Sequence, residues 1–362
     1  MAATAMFATA TWAGGLMTNT NYHIAFDRMF ARGASTEIDA TFSNPAGLAW
    51  GHEGWQFSLN FQKPWQNRDI ELTAPNGTKT LYEGKASAPI VPALFASYKK
   101  DRWAVSGMIG IVGSGGFVQY DDGVPMFNVL LNSTITKLTK GLSDATQGAI
   151  PSITPDQYTL DSEMKGKQYI YGGQLNFSYK ITDYLAAAVG FRANYYDGYY
   201  RGHVIADNHT TKGKLASLLL DVDQKGWGFT PIISLAFHQG PLTLTARYEF
   251  RTKISTKNDT NVLDADLNTT KMVTEPLTQL VVAGAITAAQ AQAIGQGIQQ
   301  QLGGGFSDYT APYEDGARTR VICRHCSQWL LAMSFHPSCV LPWSITSSMT
   351  RMQRWLTTAR RS

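Results

Sequence analysis

The stretch LTLTARYEFRT, Leu242 to Thr252, limits the possible folds more than any other part of the chain. Side chains of a strand alternate between its two faces. Leu242, Leu244, Ala246, Tyr248 and Phe250 therefore share one face, and Thr243, Thr245, Arg247, Glu249 and Arg251 share the other. The alternation recurs at Trp55, Phe57, Leu59 and Phe61, at Tyr169, Tyr171, Leu175 and Phe177, and at Trp227, Phe229, Ile233, Leu235 and Phe237. Leu185, Ala187, Val189, Phe191, Ala193 and Tyr195 continue the series, with Arg192 and Asn194 opposite. Each segment runs for roughly 9 to 11 residues or slightly more, the length a tilted strand needs to cross a bilayer, with aromatics near the segment ends.

The links between segments also alternate. YKKDRW (Tyr98 to Trp103), YKITDYL (Tyr179 to Leu185) and FHQGPL (Phe237 to Leu242) are tight. Long links are expected at Gln62 to Ile90, Ser114 to Lys167, Tyr199 to Lys225 and Lys253 to Ala317. Short turns on one side and long loops on the other are the topology of outer-membrane barrels. Strand alternation alone does not separate such a barrel from a soluble barrel or sandwich, in which the apolar face points inward.

Three features favour the membrane version: loop asymmetry, composition and the N-terminus. Charged residues make up only 16% of the chain, against about 25% in soluble proteins. The apolar run Leu280 to Ala289 is too short for a helical span, which takes about 18 residues. Residues 1–13, MAATAMFATATWA, are uncharged and end in small residues at Thr11 and Ala13, like the rear of a secretory signal. The basic start of such a signal is missing, so the beginning reads as truncated or misplaced. The expected fold is all-β, a transmembrane antiparallel barrel. In that orientation Arg192, Asn194, Arg247, Glu249 and Arg251 face the lumen, where the charges pair across the wall.

Arg28 to Trp50, RMFARGASTEIDATFSNPAGLAW, resembles the N-terminal hatch of the FadL/TodX-type outer-membrane transport proteins. Val91 to Phe117 is similar to that family's early strand, turn and strand, and LTLTARYEFRTKI to a later strand. The resemblance spans about Gly14 to Arg320 and is strongest before Phe117. It implies a fourteen-stranded barrel plugged by a helical hatch, acting as a monomer in the outer membrane of a Gram-negative bacterium. It also implies passive uptake of long-chain fatty acids or other hydrophobic small molecules. Asn44, Pro45 and Ala46 match the family's hatch motif; physically, Asn44 is a suitable N-cap and Pro45 a suitable first helical residue. The domains expected are a signal remnant (1–13), a hatch (14–50), a barrel with long extracellular loops (51–320) and a tail (321–362).

Passive capture of a greasy ligand needs an apolar surface at the outer mouth, where each buried methylene contributes about 0.8 kcal/mol. Met126, Phe127, Leu130 and Leu131 on a short helix are candidates, as are Ile286, Ile294, Ile298 and Leu302 at multiples of four. The same residues are equally suited to packing the two loops against each other. The alternative functions are a structural or adhesive barrel and a small-solute pore. The chain has no phosphate loop, nucleophile elbow or zinc-protease helix, so no enzyme activity and no cofactor is expected. Lys and Arg are interspersed with acids, which argues against nucleic acid as a partner.

The tail breaks with the rest of the chain. Val321 to Ser362 has no Gly, Tyr, Lys, Asp, Glu or Asn, yet holds Cys323, Cys326 and Cys339 with His325 and His336. A C-x-x-C pair with nearby histidines is a weak zinc signal. The composition break fits a shifted reading frame better, with the last barrel strands missing and the zinc pattern accidental; no metal site is expected. The tail's five Arg produce the basic balance, since without them 26 basic residues face 27 acidic ones.

Overall fold

Period-two alternation takes the form of long antiparallel strands. The computed structural model describes residues 22–28, 32–73, 77–209, 213–302, 311–323 and 329–335. The early strands are β1 (Gly54–Gln62), β2 (Trp65–Asn67), β3 (Ile70–Thr73), β4 (Lys79–Tyr82), β5 (Gly84–Ser87) and β6 (Val91–Lys100). Four long ones follow: β7 (Trp103–Tyr120), β8 (Tyr158–Lys180), β9 (Leu185–Asn208) and β10 (Gly213–Gln239). The last are β11 (Leu242–Glu249), β12 (Thr252–Leu267), β13 (Arg318–Cys323) and β14 (Trp329–Phe335). β3 and β4 form a separate hairpin, and the other twelve strands form one sheet.

Several short strands are consecutive pieces of one wall strand. β1 and β2 run beside β6 and β5, β5 and β6 run beside β7, β11 and β12 run beside β10, and β14 and β13 run beside β11 and β12. The sheet is thus an up-and-down meander of eight wall strands, each paired with its neighbour in the chain. These eight are the wall strands among the described residues. Among the described residues no pairing joins β1 or β2 to β13 or β14, so the sheet is not closed.

The break between β11 and β12 has a local cause. The Pro231 carbonyl accepts the Phe250 N–H at 3.1 Å, so the N–H that proline lacks would have been on the same side. Seven residues from Glu249 to Ser255 face six from Ile232 to Trp227, which is a bulge. Phe250 and Arg251 are consequently both exposed on the outer side. The expected lumen position of Arg251 is therefore corrected.

One of the expected long links, 199–225, is almost wholly strand, and two others are strand only at their ends. Residues 199–208 and 213–225 are the paired ends of β9 and β10, and Ser114 to Lys167 and Lys253 to Ala317 include β7, β8 and β12 residues. Period two persists there with its polarity reversed. Val204, Ala206, Leu218 and Leu220 are buried, while Arg201, Asp207, Asp221 and Asp223 lie on the opposite face.

Elsewhere the sheet is apolar outside and polar inside, except that Arg251 and Lys253 are exposed on the outer side. Trp55 and Phe57 are 67% and 69% exposed, and Leu175, Val189, Phe229 and Leu235 are likewise exposed. Gln174, Asn176, Arg192, Asn194, Thr230 and Asn258 are buried on the other face. Aromatics bound the exposed band at both edges. Tyr171, Tyr195 and Trp227 form one row, with centroids 6.5 and 4.8 Å apart. Trp55, Tyr98 and Trp103 lie near the turns at 4.9 and 5.6 Å, with Tyr184 and Phe237 at 5.7 Å. From Trp227 to Phe237 is ten residues, or about 34 Å of strand, which a tilt of about 45° reduces to about 24 Å.

Candidate functional site

The N-terminal segment covers the polar inner face with short helical turns: α1 (Ile24–Arg28), α2 (Ala40–Ser43) and a 3-10 turn over Pro45–Trp50. Arg32 organises the approach, donating to both Asp39 oxygens at 2.7 and 2.8 Å, while Ser35 Oγ donates to Asp39 at 2.8 Å. Asn44 precedes the 3-10 turn and Pro45 is its first residue, but the Asn44 side chain makes no capping bond. Instead its Nδ2 donates to the Ser35 carbonyl at 3.0 Å. Ala46 packs on Ala188 and Ala236, small residues that let the backbone approach the wall. At Gly47 any Cβ would overlap the Asn44 side chain and the Ser35 carbonyl.

The wall answers this segment with directed polar groups. Gln174 and Asn176 both donate to the Thr41 carbonyl, at 2.9 and 3.0 Å, and Ser178 donates to the Pro45 carbonyl at 2.6 Å. Asn176 also reaches Ser106 at 3.1 Å. Trp50 Nε1 donates to the Asp183 carbonyl at 3.1 Å, fastening the segment at the turn end. Tyr22 donates to the Val112 carbonyl at 2.8 Å and meets Phe42 edge-on, with centroids 4.3 Å apart.

Four of the five residues expected to face a lumen are buried on this face. Arg192 and Arg247 both pair with Glu249, and Arg192 Nε donates to Gln174 at 2.9 Å. The Phe42 ring centroid lies 4.8 Å from the Arg192 guanidinium carbon and 4.7 Å from that of Arg247. Buried charge is tolerated when it is paired and hydrogen-bonded, and the nearby ring adds cation–π attraction. Asn194 braces the wall, donating to Thr230 at 2.9 Å. Sequence reasoning missed Phe42, Gln174, Asn176 and Ser178; the alternating polar positions of GGQLNFSY were the available signal for the last three.

At the other end a helical cap covers the inner face. α3 (Pro125–Ala145), a π turn (Thr270–Thr274), α4 (Glu275–Val282) and α5 (Ala288–Leu302) pack on the reversed-polarity ends of β8 to β10. α3 begins with Pro at its first turn and buries Leu131, Ile135, Leu138 and Leu142, one stripe at helical spacing. Against them lie Val204, Leu218, Met272, Leu277 and Ile298. Tyr158 donates to Asn132 at 2.7 Å, and burial pushes its phenol up to about 12.

Among the residues expected to capture ligand, Leu131 and Ile298 are core of this cap, and Phe127, Leu130, Ile286 and Ile294 pack around it half-buried. Met126 stays 66% exposed. The two loops therefore pack against each other, and α3 is longer than the short helix expected. Between the π turn with α4 and the facing side of α5 lies a cleft of about 560 Å³. Val273, Leu277, Ala291 and Ile298 supply apolar lining, with Thr278 and Gln296 among the polar residues.

The signal remnant, residues 14–21 and 29–31 of the expected hatch, and Cys326, Cys339, His325 and His336 lie outside the described residues; of the tail only 321–323 and 329–335 are described, and Cys323 ends β13. Comparison of the chain with protein-family models, with curated proteins and with solved structures gives no match.

Proposed function

We propose that this chain is an outer-membrane transporter for passive uptake of long-chain fatty acids or other hydrophobic small molecules, built as a FadL/TodX-type barrel with a hatch. The inverted burial of the sheet carries the reading. A sheet in water exposes polar side chains, because each buried apolar side chain is worth about 1.5–3 kcal/mol. Here Phe57, Leu59, Leu175, Val189 and Phe229 are exposed while Arg192, Gln174 and Asn176 are buried. Lipid is the solvent that makes this arrangement favourable. The derived band height of about 24 Å agrees with the roughly 25 Å apolar band of outer-membrane barrels.

The cap and the N-terminal segment fit sequential steps on that route. The cleft beside Leu277 and Ile298 is of small-molecule size. It collects an apolar ligand outside, and the segment from Arg32 to Trp50 blocks the way inward until its contacts to Gln174, Asn176 and Ser178 are released. A membrane barrel satisfies its edges by closure.

The test is ligand binding by the full chain in phospholipid vesicles. Radiolabelled oleate is expected to bind saturably, and Val281→Asp, at the cleft, is expected to weaken binding at least tenfold. Strong ion conductance unaffected by oleate identifies a small-solute pore. Absence of both activities favours a structural or adhesive barrel.

A further inference from the structure

Beyond the Tyr171, Tyr195 and Trp227 row the outer face turns from apolar to charged, and one row of charges there is unbalanced. Lys225 pairs across the sheet with Asp197 on β9 and with Lys257 on β12, and Lys257 pairs with Arg318 on β13. Lys225, Lys257 and Arg318 are all exposed. Three cations thus stand side by side on three adjacent strands. Directly opposed residues hold their Cβ atoms about 5 Å apart, close enough for like charges to destabilise the pairing.

The neighbouring carboxylates do not neutralise this row. Asp197 is taken by Lys167 Nζ at 2.7 Å, and Asp223 is approached by Arg201 at 3.4 Å. Asp259 stands one row farther out, and Asp315 accepts the Thr260 N–H at 3.4 Å. Among the described residues no carboxylate forms an ion pair with Lys225, Lys257 or Arg318.

The depth of the row identifies the missing charge. Lys225 lies two residues beyond Trp227, about 7 Å along the strand, and an interfacial Trp sits at headgroup level. An anion at that depth, against an apolar band, belongs to a lipid. We propose that Lys225, Lys257 and Arg318 bind the phosphate of a membrane-lipid headgroup in the leaflet on the cap side of the sheet. The proposal rests on the membrane reading above. Two ammonium groups and a forked guanidinium match a phosphate group's several acceptor oxygens, and the lipid chains continue along Trp227 and Phe229.

The test uses the full chain in phosphatidylcholine vesicles carrying a trace of spin-labelled phosphatidic acid or spin-labelled phosphatidylcholine. Electron spin resonance then measures how much of each label is immobilised at the protein. The wild type is expected to prefer phosphatidic acid several-fold. The double variant Lys225→Gln, Lys257→Gln is expected to lose this preference and immobilise the two labels equally. Lys137→Gln, an exposed change on α3, is expected to keep it. Equal selectivity in wild type and double variant, in vesicles with which the protein floats, overturns the lipid site alone. Full displacement of the labelled lipid by inorganic phosphate also overturns it and makes the row a free-phosphate site. Failure to float with vesicles at all overturns the membrane reading together with this proposal.

Discussion

The Phe42 ring lies 4.8 Å from the guanidinium carbon of Arg192, an aromatic side chain of the N-terminal segment set against a buried cation of the wall. Arg247 lies 4.7 Å from the same ring, and Glu249 joins the two arginines. The segment and the wall therefore share one electrostatic unit, and the members are unequal. Glu249→Gln leaves two buried guanidinium groups without their counter-charge and is expected to cost about 3–5 kcal/mol. Phe42→Leu keeps apolar volume and loses the cation–π attraction and the edge contact with Tyr22, about 1–3 kcal/mol together. Urea unfolding of both variants in vesicles checks the order; an equal cost contradicts the shared unit.

Asn176 links Thr41 of the segment to Ser106 of β7. Asn176→Ala removes both bonds, leaving the Thr41 carbonyl with Gln174 as donor and the buried Ser106 hydroxyl without the Asn176 amide, for an expected loss of about 1–3 kcal/mol. The loss should be local, seen as faster hydrogen exchange at Ala40 to Trp50 with β8 to β10 unchanged.

Gly47→Ala places a Cβ against the Asn44 side chain and the Ser35 carbonyl. The backbone carbonyl has little room to yield, so residues 44–50 are expected to shift away from the wall. Increased proteolysis within 32–50, with the sheet's thermal unfolding unchanged, is the expected readout.

Leu131 is fully buried between α3 and the ends of the wall strands. Leu131→Ala is expected to destabilise the cap by about 2–5 kcal/mol through lost burial and a residual cavity. Met126→Ala, at an exposed position of the same helix, is expected to change stability by less than about 0.5 kcal/mol. Hydrogen exchange in α3, α4 and α5 separates the two.

The alternation of LTLTARYEF and its relatives made the strand faces legible, because a period of two survives in any sheet. Which face is buried was not legible from that alternation. The buried Arg192 and Asn176 supply it only through the N-terminal segment that covers them, a contact between residues over a hundred positions apart. The outer ends of β9 and β10 were read as loop because polarity inverts there, with Val204 and Leu218 inward and Arg201 and Asp221 outward. Arg251 was misplaced for a subtler reason. Pro231 lies on a different strand, and its missing N–H shifts the register by one residue. The cap helices were visible as apolar stripes, but stripe spacing does not say whether ligand or another helix fills the groove.

The most direct test of an apolar face solvated by lipid is a charge placed at its middle. Ile233 is exposed midway between the Trp227 row and the turn-side aromatics. Stability of Ile233→Arg is measured by urea unfolding from phospholipid vesicles, with Lys225→Arg, outside the band, as reference. A cost of about 2–4 kcal/mol for Ile233→Arg, against about 0–1 for the reference, is predicted for a bilayer-facing position. An unchanged or raised stability of Ile233→Arg, with better solubility in water, would contradict the account.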